Sequence, residues 1–170
     1  TIKKDLTFSQ ETKNEALNLF TTAKHWGLFS DQGSTLDVVV KGGSITVLDV
    51  SAYAVTEGGW GVKSLVIGLI AKKIFVERMV SRQLEEIEAI RTGYSYFKME
   101  EEAEVAEKKP LVWLIIDEAH ELLPAEGKTA ATEALVTILR EGRQPGLSLV
   151  LISQQPGKIH SDVLTQSDIV

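Results

Sequence analysis

Residues 111–118 read Leu-Val-Trp-Leu-Ile-Ile-Asp-Glu, an apolar run that stops at two adjacent carboxylates. An unbroken apolar run of this kind predicts a strand buried on both faces, as in a parallel sheet. In open α/β sheets, ligands bind in the crevice outside the carboxyl ends of such strands. Acids at that place suit phosphate chemistry: one carboxylate helps hold Mg2+, and a second polarises the attacking water. The plainer alternative is a buried strand that ends in a solvated loop.

The residues that follow extend the pattern. After Ala119, His120, Glu121, Leu122, Leu123 and Pro124, a polar loop leads to a predicted helix over 129–141. Leu135, Ile138 and Leu139 share one face of it, and Gly142 is its expected left-handed stop. Arg143-Gln-Pro-Gly is a turn. Leu147-Ser-Leu-Val-Leu-Ile-Ser is a second β-rich run, and it ends in Gln154-Gln155-Pro156. Two strands bridged by one helix form a parallel crossover, with both carboxyl ends on one edge. Asp117, Glu118 and Gln154 are therefore expected close together. His120 either orients the acid pair or is solvated where the chain turns.

Three stretches in this order, 114–124 (Leu-Ile-Ile-Asp-Glu-Ala-His-Glu-Leu-Leu-Pro), 140–146 (Arg-Glu-Gly-Arg-Gln-Pro-Gly) and 149–156 (Leu-Val-Leu-Ile-Ser-Gln-Gln-Pro), resemble the HerA-type ATPases. Those are hexameric DNA translocases and helicases, related to the FtsK-type pumps. The resemblance is tight over 111–170 and looser over 36–80. It implies an α/β fold, the later part of a RecA-like P-loop ATPase core with a largely parallel sheet and flanking helices. It also implies ATP and Mg2+ as cofactors, DNA as partner through the pore of a homo-hexamer, and a nuclease partner in DNA-end processing; the absence of cysteine fits a cytoplasmic location. By the same resemblance Asp117 matches the Walker B aspartate that holds Mg2+, and Glu118 the catalytic glutamate. Gln154 matches the polar sensor, and Arg143 the arginine finger that reaches a neighbouring subunit. Arg140 is the second candidate for that arginine. The chain departs from the family at Gln155, where Arg is frequent.

Each assignment has a structural alternative. Arg143 and Arg140 also suit a helix C-terminus, where a cation favours the dipole. Gln154 also suits a strand end, where its amide can satisfy backbone groups. An arginine supplied in trans is worth roughly 10³–10⁵ in rate in enzymes that use one.

Glu57-Gly-Gly-Trp-Gly-Val-Lys-Ser64 imitates a phosphate loop: it follows the run Ile45–Val50 and opens a helix. The required pattern has Gly directly before Lys, and Val62 stands there instead. The segment reads as a strand-to-helix connection, and Asp49 at the end of the preceding run as structural. No Gly-x-x-x-x-Gly-Lys-Ser/Thr occurs in the chain. The expectation is therefore a piece of an ATPase domain lacking its phosphate loop and ending at the start of another strand, unable to hydrolyse ATP alone.

Residues 9–27 predict an amphipathic helix with Ser9 as N-cap and Gly27 as stop; by the same resemblance it looks like the end of the family's helical insertion, over 1–35, with the ATPase part at 36–170. Residues 36–40 and 45–50 predict two strands around Lys41-Gly-Gly-Ser. A long helix is predicted from Val62, with Leu65, Leu69, Ile70, Ile74, Val76 and Met79 recurring at near-helical spacing, and it continues through Leu84, Ile87 and Ile90. The charged stretch 98–109 reads as a solvated loop or helix face. Tyr94, Tyr96 and Phe97 read as a hydrophobic anchor or a base-stacking loop.

With 44% hydrophobic and 25% charged residues, the 170-residue chain has an ordinary globular composition. Zero cysteines exclude disulfides and thiolate metal sites. His25, His120 and His160 show no metal-ligand spacing. A net charge of −6 argues against a broad DNA-binding face, though not against a ring whose pore carries a few cations, Lys158 among the candidates. Asp-Glu-Ala-His at 117–120 also fits a superfamily-2 helicase, and a non-catalytic domain of ATPase fold is a third possibility.

Overall fold

The computed structural model describes residues 8–27, 32–33, 35–54, 59–94 and 109–167. Tyr96, Phe97, most of the charged stretch and Asp168-Ile-Val lie outside the described residues. The chain divides into two compact units, Thr1–Thr35 and Leu36–Val170.

In the first unit, helix α1 spans Gln10–His25. The Ser9 hydroxyl accepts a hydrogen bond from Thr12 N at 3.2 Å, satisfying one of the helix's free amides. Gly27 follows at φ 68°, a left-handed stop.

In the second unit the chain forms α2 (Leu36–Val39), α3 (Ser51–Ala54), α4 (Gly59–Tyr94), β1 (Val112–Ile116), α5 (Thr132–Glu141), β2 (Leu147–Leu151) and α6 (Ser161–Gln166). β1 and β2 are parallel, paired from Val112↔Leu147 to Ile116↔Leu151. Helix α5 connects them and packs on both β2 and α4. Its buried face is Leu135 and Ile138. Truncating Leu135, which is fully buried, costs about 2–5 kcal/mol by analogy with other core leucines.

Four expectations need correction. First, residues 36–39 form a helical turn rather than a strand, and 45–50 pair with nothing among the described residues. Thr46 Oγ1 donates to Val39 O at 2.7 Å and Ser44 N to Lys41 O at 3.2 Å, so the link closes as local turns. A strand without a neighbour leaves its backbone to water, and Ile45 is 95% exposed.

Second, β1 is covered on one face only: Leu111, Trp113 and Ile115 are exposed, while Val112, Leu114 and Ile116 pack against the core. The apolar run is continuous, but among the described residues nothing covers its second face.

Third, α4 begins at Gly59, and its buried stripe differs in phase from the predicted one. Val62, Ala71, Ile74 and Arg78 are buried, whereas Leu69 and Val76 face outward. Where α4 comes nearest the entry to α5 the inner face is small, at Gly68 and Ala71. A Cβ on Gly68 would stand 2.7 Å from Ala130 O.

Fourth, Gly142 is not left-handed; its φ is −65°. It is required by crowding instead, since a Cβ there would meet Ile138 O at 2.4 Å and Leu147 O at 2.9 Å. The left-handed glycine of this turn is Gly146, at φ 79°.

Arg78 is the buried charged residue among the described residues of the unit. Its guanidinium donates to Pro145 O and Lys109 O, each at 2.8 Å, and pairs with Glu85 at 3.3 Å. It thereby ties α4 to the turn before β2 and to the entry of β1. Lys109 in turn pairs with Asp37, whose carboxyl it holds below the ordinary 3.8.

Candidate functional site at the carboxyl edge

The pairing of β1 and β2 brings their carboxyl ends to one edge, and the backbone seals it. Ile152 N donates to Ile116 O, and Ala119 N to Ile152 O, both at 2.9 Å. Beyond that, Pro124 and Ile159 form an antiparallel bridge, so the two outgoing loops stay side by side. The acid loop is also tied to α5: the hydroxyls of Thr129 and Thr132 both donate to Leu122 O, at 2.7 and 2.9 Å.

On this frame the polar groups converge. Asp117 is exposed, and its Oδ1 accepts from Glu118 N at 2.9 Å. Gln154 Nε2 donates to Glu118 Oε1 at 3.0 Å. Glu118 Oε2 is buried without a hydrogen-bond partner, 3.4 Å from His120 Nδ1. His120 Nδ1 lies 3.0 Å from Ser153 Oγ, and His120 Nε2 lies 3.2 Å from Gln155 Nε2.

Glu118 is also the one non-glycine residue at positive φ among the described residues, φ 51° and ψ 45°. A left-handed backbone without glycine costs of order 1 kcal/mol or more, and such residues gather at functional sites. Here the left-handed step turns the chain out of β1 into the 3-10 turn Ala119–Glu121, leaving the Glu118 carboxylate over the β2 end.

The donor set fits Mg2+. That ion prefers oxygen ligands and is held through one or two carboxylates shared with phosphate oxygens and water. Asp117 offers an exposed carboxylate whose other oxygen is fixed by the backbone. No group of three His, Asp or Glu that could cage an ion gathers among the described residues.

The arginines separate. Arg140 pairs with Asp162 at 2.6 Å. Arg143, exposed in the turn before β2, shows no side-chain partner among the described residues. It precedes the amino end of β2, whereas Asp117 and Gln154 follow the carboxyl ends, about 17 Å away along a five-residue strand. The structure thus brings Asp117, Glu118 and Gln154 together and keeps Arg143 away from them.

The glycine-rich imitation of a phosphate loop is occupied by helix. Residues 59–64 are the first residues of α4, with Val62 buried and Ser64 Oγ donating to Gly61 O at 3.0 Å. Lys63 pairs with Glu121 at 2.5 Å and lies 5.0 Å from the Trp60 ring. Asp49 accepts from Ser51 N at 2.9 Å at the start of α3. Lys158 is exposed, with its backbone carbonyl bonded to Ala125 N. Sequence reasoning gave no role to Ser153 or to the Thr129 and Thr132 hydroxyls that bind Leu122 O; for Ser153, its place next to a strand end was the available signal.

The second unit is thus an α/β arrangement whose parallel strands end in a carboxylate and amide cluster. The sequence of the chain is similar to that of HerA helicases. It is 33% identical over 108 residues to a probable DNA double-strand break repair helicase HerA of Methanocaldococcus jannaschii, covering 60% of this chain and 21% of that one. It is 27% identical over 138 residues to the DNA double-strand break repair helicase HerA of Pyrococcus furiosus, covering 77% of this chain and 24% of that one. A third HerA, from Sulfurisphaera tokodaii, is 38% identical over 55 residues, covering 32% of this chain and 11% of that one. No protein-family model matches the chain. The aligned segments span about a quarter or less of the length of these curated relatives.

Proposed function

We propose that this chain is the later part of the ATPase domain of a HerA-like, ATP-driven DNA translocase or helicase, acting in DNA-end processing in the cytoplasm. The observation that carries the reading is the hydrogen bond between Glu118 and Gln154 across the ends of two parallel strands. A polarising carboxylate aligned by a neighbouring amide is what phosphoryl transfer to water asks of a protein. The similarity of the chain to HerA helicases also supports the reading.

In this proposal Asp117 holds Mg2+, which when bound neutralises charge on the phosphates. Glu118 orients the attacking water, and Gln154 keeps the Glu118 carboxylate facing it. A RecA-like core completes the sheet with strands beyond these residues, and a phosphate loop outside these residues holds the triphosphate. The bare face of β1 is the side on which such a core packs a layer of helices.

Arg143 serves a neighbouring subunit of a homo-hexamer. Its place at the opposite end of β2 from the acids supports action in trans. Arg140, engaged with Asp162, is the weaker candidate. DNA is the partner, threaded through the ring, with a nuclease as a further partner. The test is Glu118→Gln in the full-length protein. Nucleotide binding should persist while turnover stops, and wild-type hydrolysis would remove the proposal.

A further inference from the structure

We propose that His120 is the positioning residue for Glu118, present as the Nδ1-protonated tautomer, and that it couples the end of β2 to the carboxylate at the end of β1. The inference rests on the nucleotide-hydrolysis reading above and assigns the second oxygen of its key carboxylate.

The ring is read from both sides. Gln155 presents its amide nitrogen to His120 Nε2 at 3.2 Å. An amide NH2 only donates, so Nε2 accepts, and a neutral ring then carries its proton on Nδ1. Nδ1–H faces two acceptors, Ser153 Oγ at 3.0 Å and Glu118 Oε2 at 3.4 Å. Ser153 Oγ already accepts from Gln155 N at 3.1 Å, which fixes it at the start of the loop after β2. Glu118 Oε1 is held by Gln154, whereas Oε2 is buried and lacks a hydrogen bond. A buried carboxylate oxygen left unpaired is costly, and Nδ1–H is the polar hydrogen beside it. A small rotation of the imidazole moves that proton from Ser153 toward Oε2. Both carboxylate oxygens are then gripped from the β2 loop, Oε1 directly by Gln154 and Oε2 through His120. Whatever moves residues 153–155 therefore re-aims Glu118.

Two measurements test this. Nitrogen-15 NMR of the histidine rings in the 170-residue chain should show His120 protonated at Nδ1, against the Nε2 form that a free imidazole favours. An Nε2-protonated His120 overturns the proposal. In the full-length protein, His120→Ala should lower kcat roughly 10–100-fold, as loss of an orienting partner does elsewhere, with KM for ATP unchanged. His120→Asn, whose amide nitrogen reaches the Nδ1 position, should restore most of the rate, and His120→Gln, which mimics Nε2, should not. Rescue by Gln rather than Asn, or a wild-type rate in His120→Ala, overturns the proposal while an inactive Glu118→Gln leaves the underlying reading standing. A wild-type rate in Glu118→Gln overturns both.

Discussion

Gln154 and Glu118 meet at 3.0 Å although 36 residues separate them, because the register Ile116↔Leu151 sets the two strand ends side by side. Replacing Gln154 with Ala frees Oε1 and leaves the fold intact, since the amide is exposed. In the full-length protein Gln154→Ala should lower kcat by about tenfold or more while unfolding by denaturant stays within about 0.5 kcal/mol of wild type. An unchanged kcat would separate the amide from hydrolysis.

Arg143 and Arg140 make opposite predictions. Arg143→Ala should reduce hydrolysis by roughly 10³-fold or more with little effect on stability. Mixing it with Glu118→Gln subunits should restore part of the rate, because some neighbouring pairs then carry both intact groups. Arg140→Ala loses one exposed ion pair with Asp162, worth about 0–1 kcal/mol, and should keep most activity. Steady-state turnover of the single variants and the mixture decides between them.

Arg78 is structural, and its loss should be large. Arg78→Met leaves the buried carbonyls of Pro145 and Lys109 without their donor and Glu85 with Arg82 alone. A loss of about 3–5 kcal/mol is expected, measured by urea unfolding of the isolated chain. The turn carrying Arg143 hangs on the Pro145 bond, so proteolysis near residues 142–146 should quicken in the same variant.

Gly142→Ala should cost about 1–3 kcal/mol through overpacking against Ile138 O and Leu147 O. Gly157→Ala, at a glycine with open space around it, is the control and should be near neutral. Equal melting temperatures for the two variants would show that the close approach is relieved at no cost.

Asp49 predicts an acid-side effect. Hydrogen bonds from Ser51 hold its carboxyl below the ordinary 3.8. A folded-state value below the unfolded one stabilises above pH 3.8, and that contribution fades as pH falls through the lower folded value. Wild type and Asp49→Ala should therefore differ at neutral pH and converge as pH falls below the ordinary carboxylate range, followed by urea midpoints.

The chemistry-bearing edge was legible from residues 111–156 because strand, helix and strand follow in short order. Local periodicity and one crossover rule are then enough to place Asp117, Glu118 and Gln154 together. The errors at 36–50 and at Leu111, Trp113 and Ile115 share a cause. Those residues have strand composition, yet what a strand becomes depends on partners that pattern alone does not supply. Arg78 was invisible for the opposite reason. A lone arginine on a helix looks solvated until two backbone carbonyls are brought to it from 31 and 67 residues away. Gly142 was assigned the wrong reason because crowding and left-handed geometry select the same residue.

The uncovered side of β1 sets how this polypeptide behaves by itself. Trp113 is 69% exposed between Leu111 and Ile115, an apolar row on a short strand that could pair with another copy. Concentrated samples should stick to themselves through this greasy ledge, and the indole emission should shift to the blue as they do. A neighbour that sealed the ledge would act as a solubiliser, keeping the molecule dispersed without touching its chemistry.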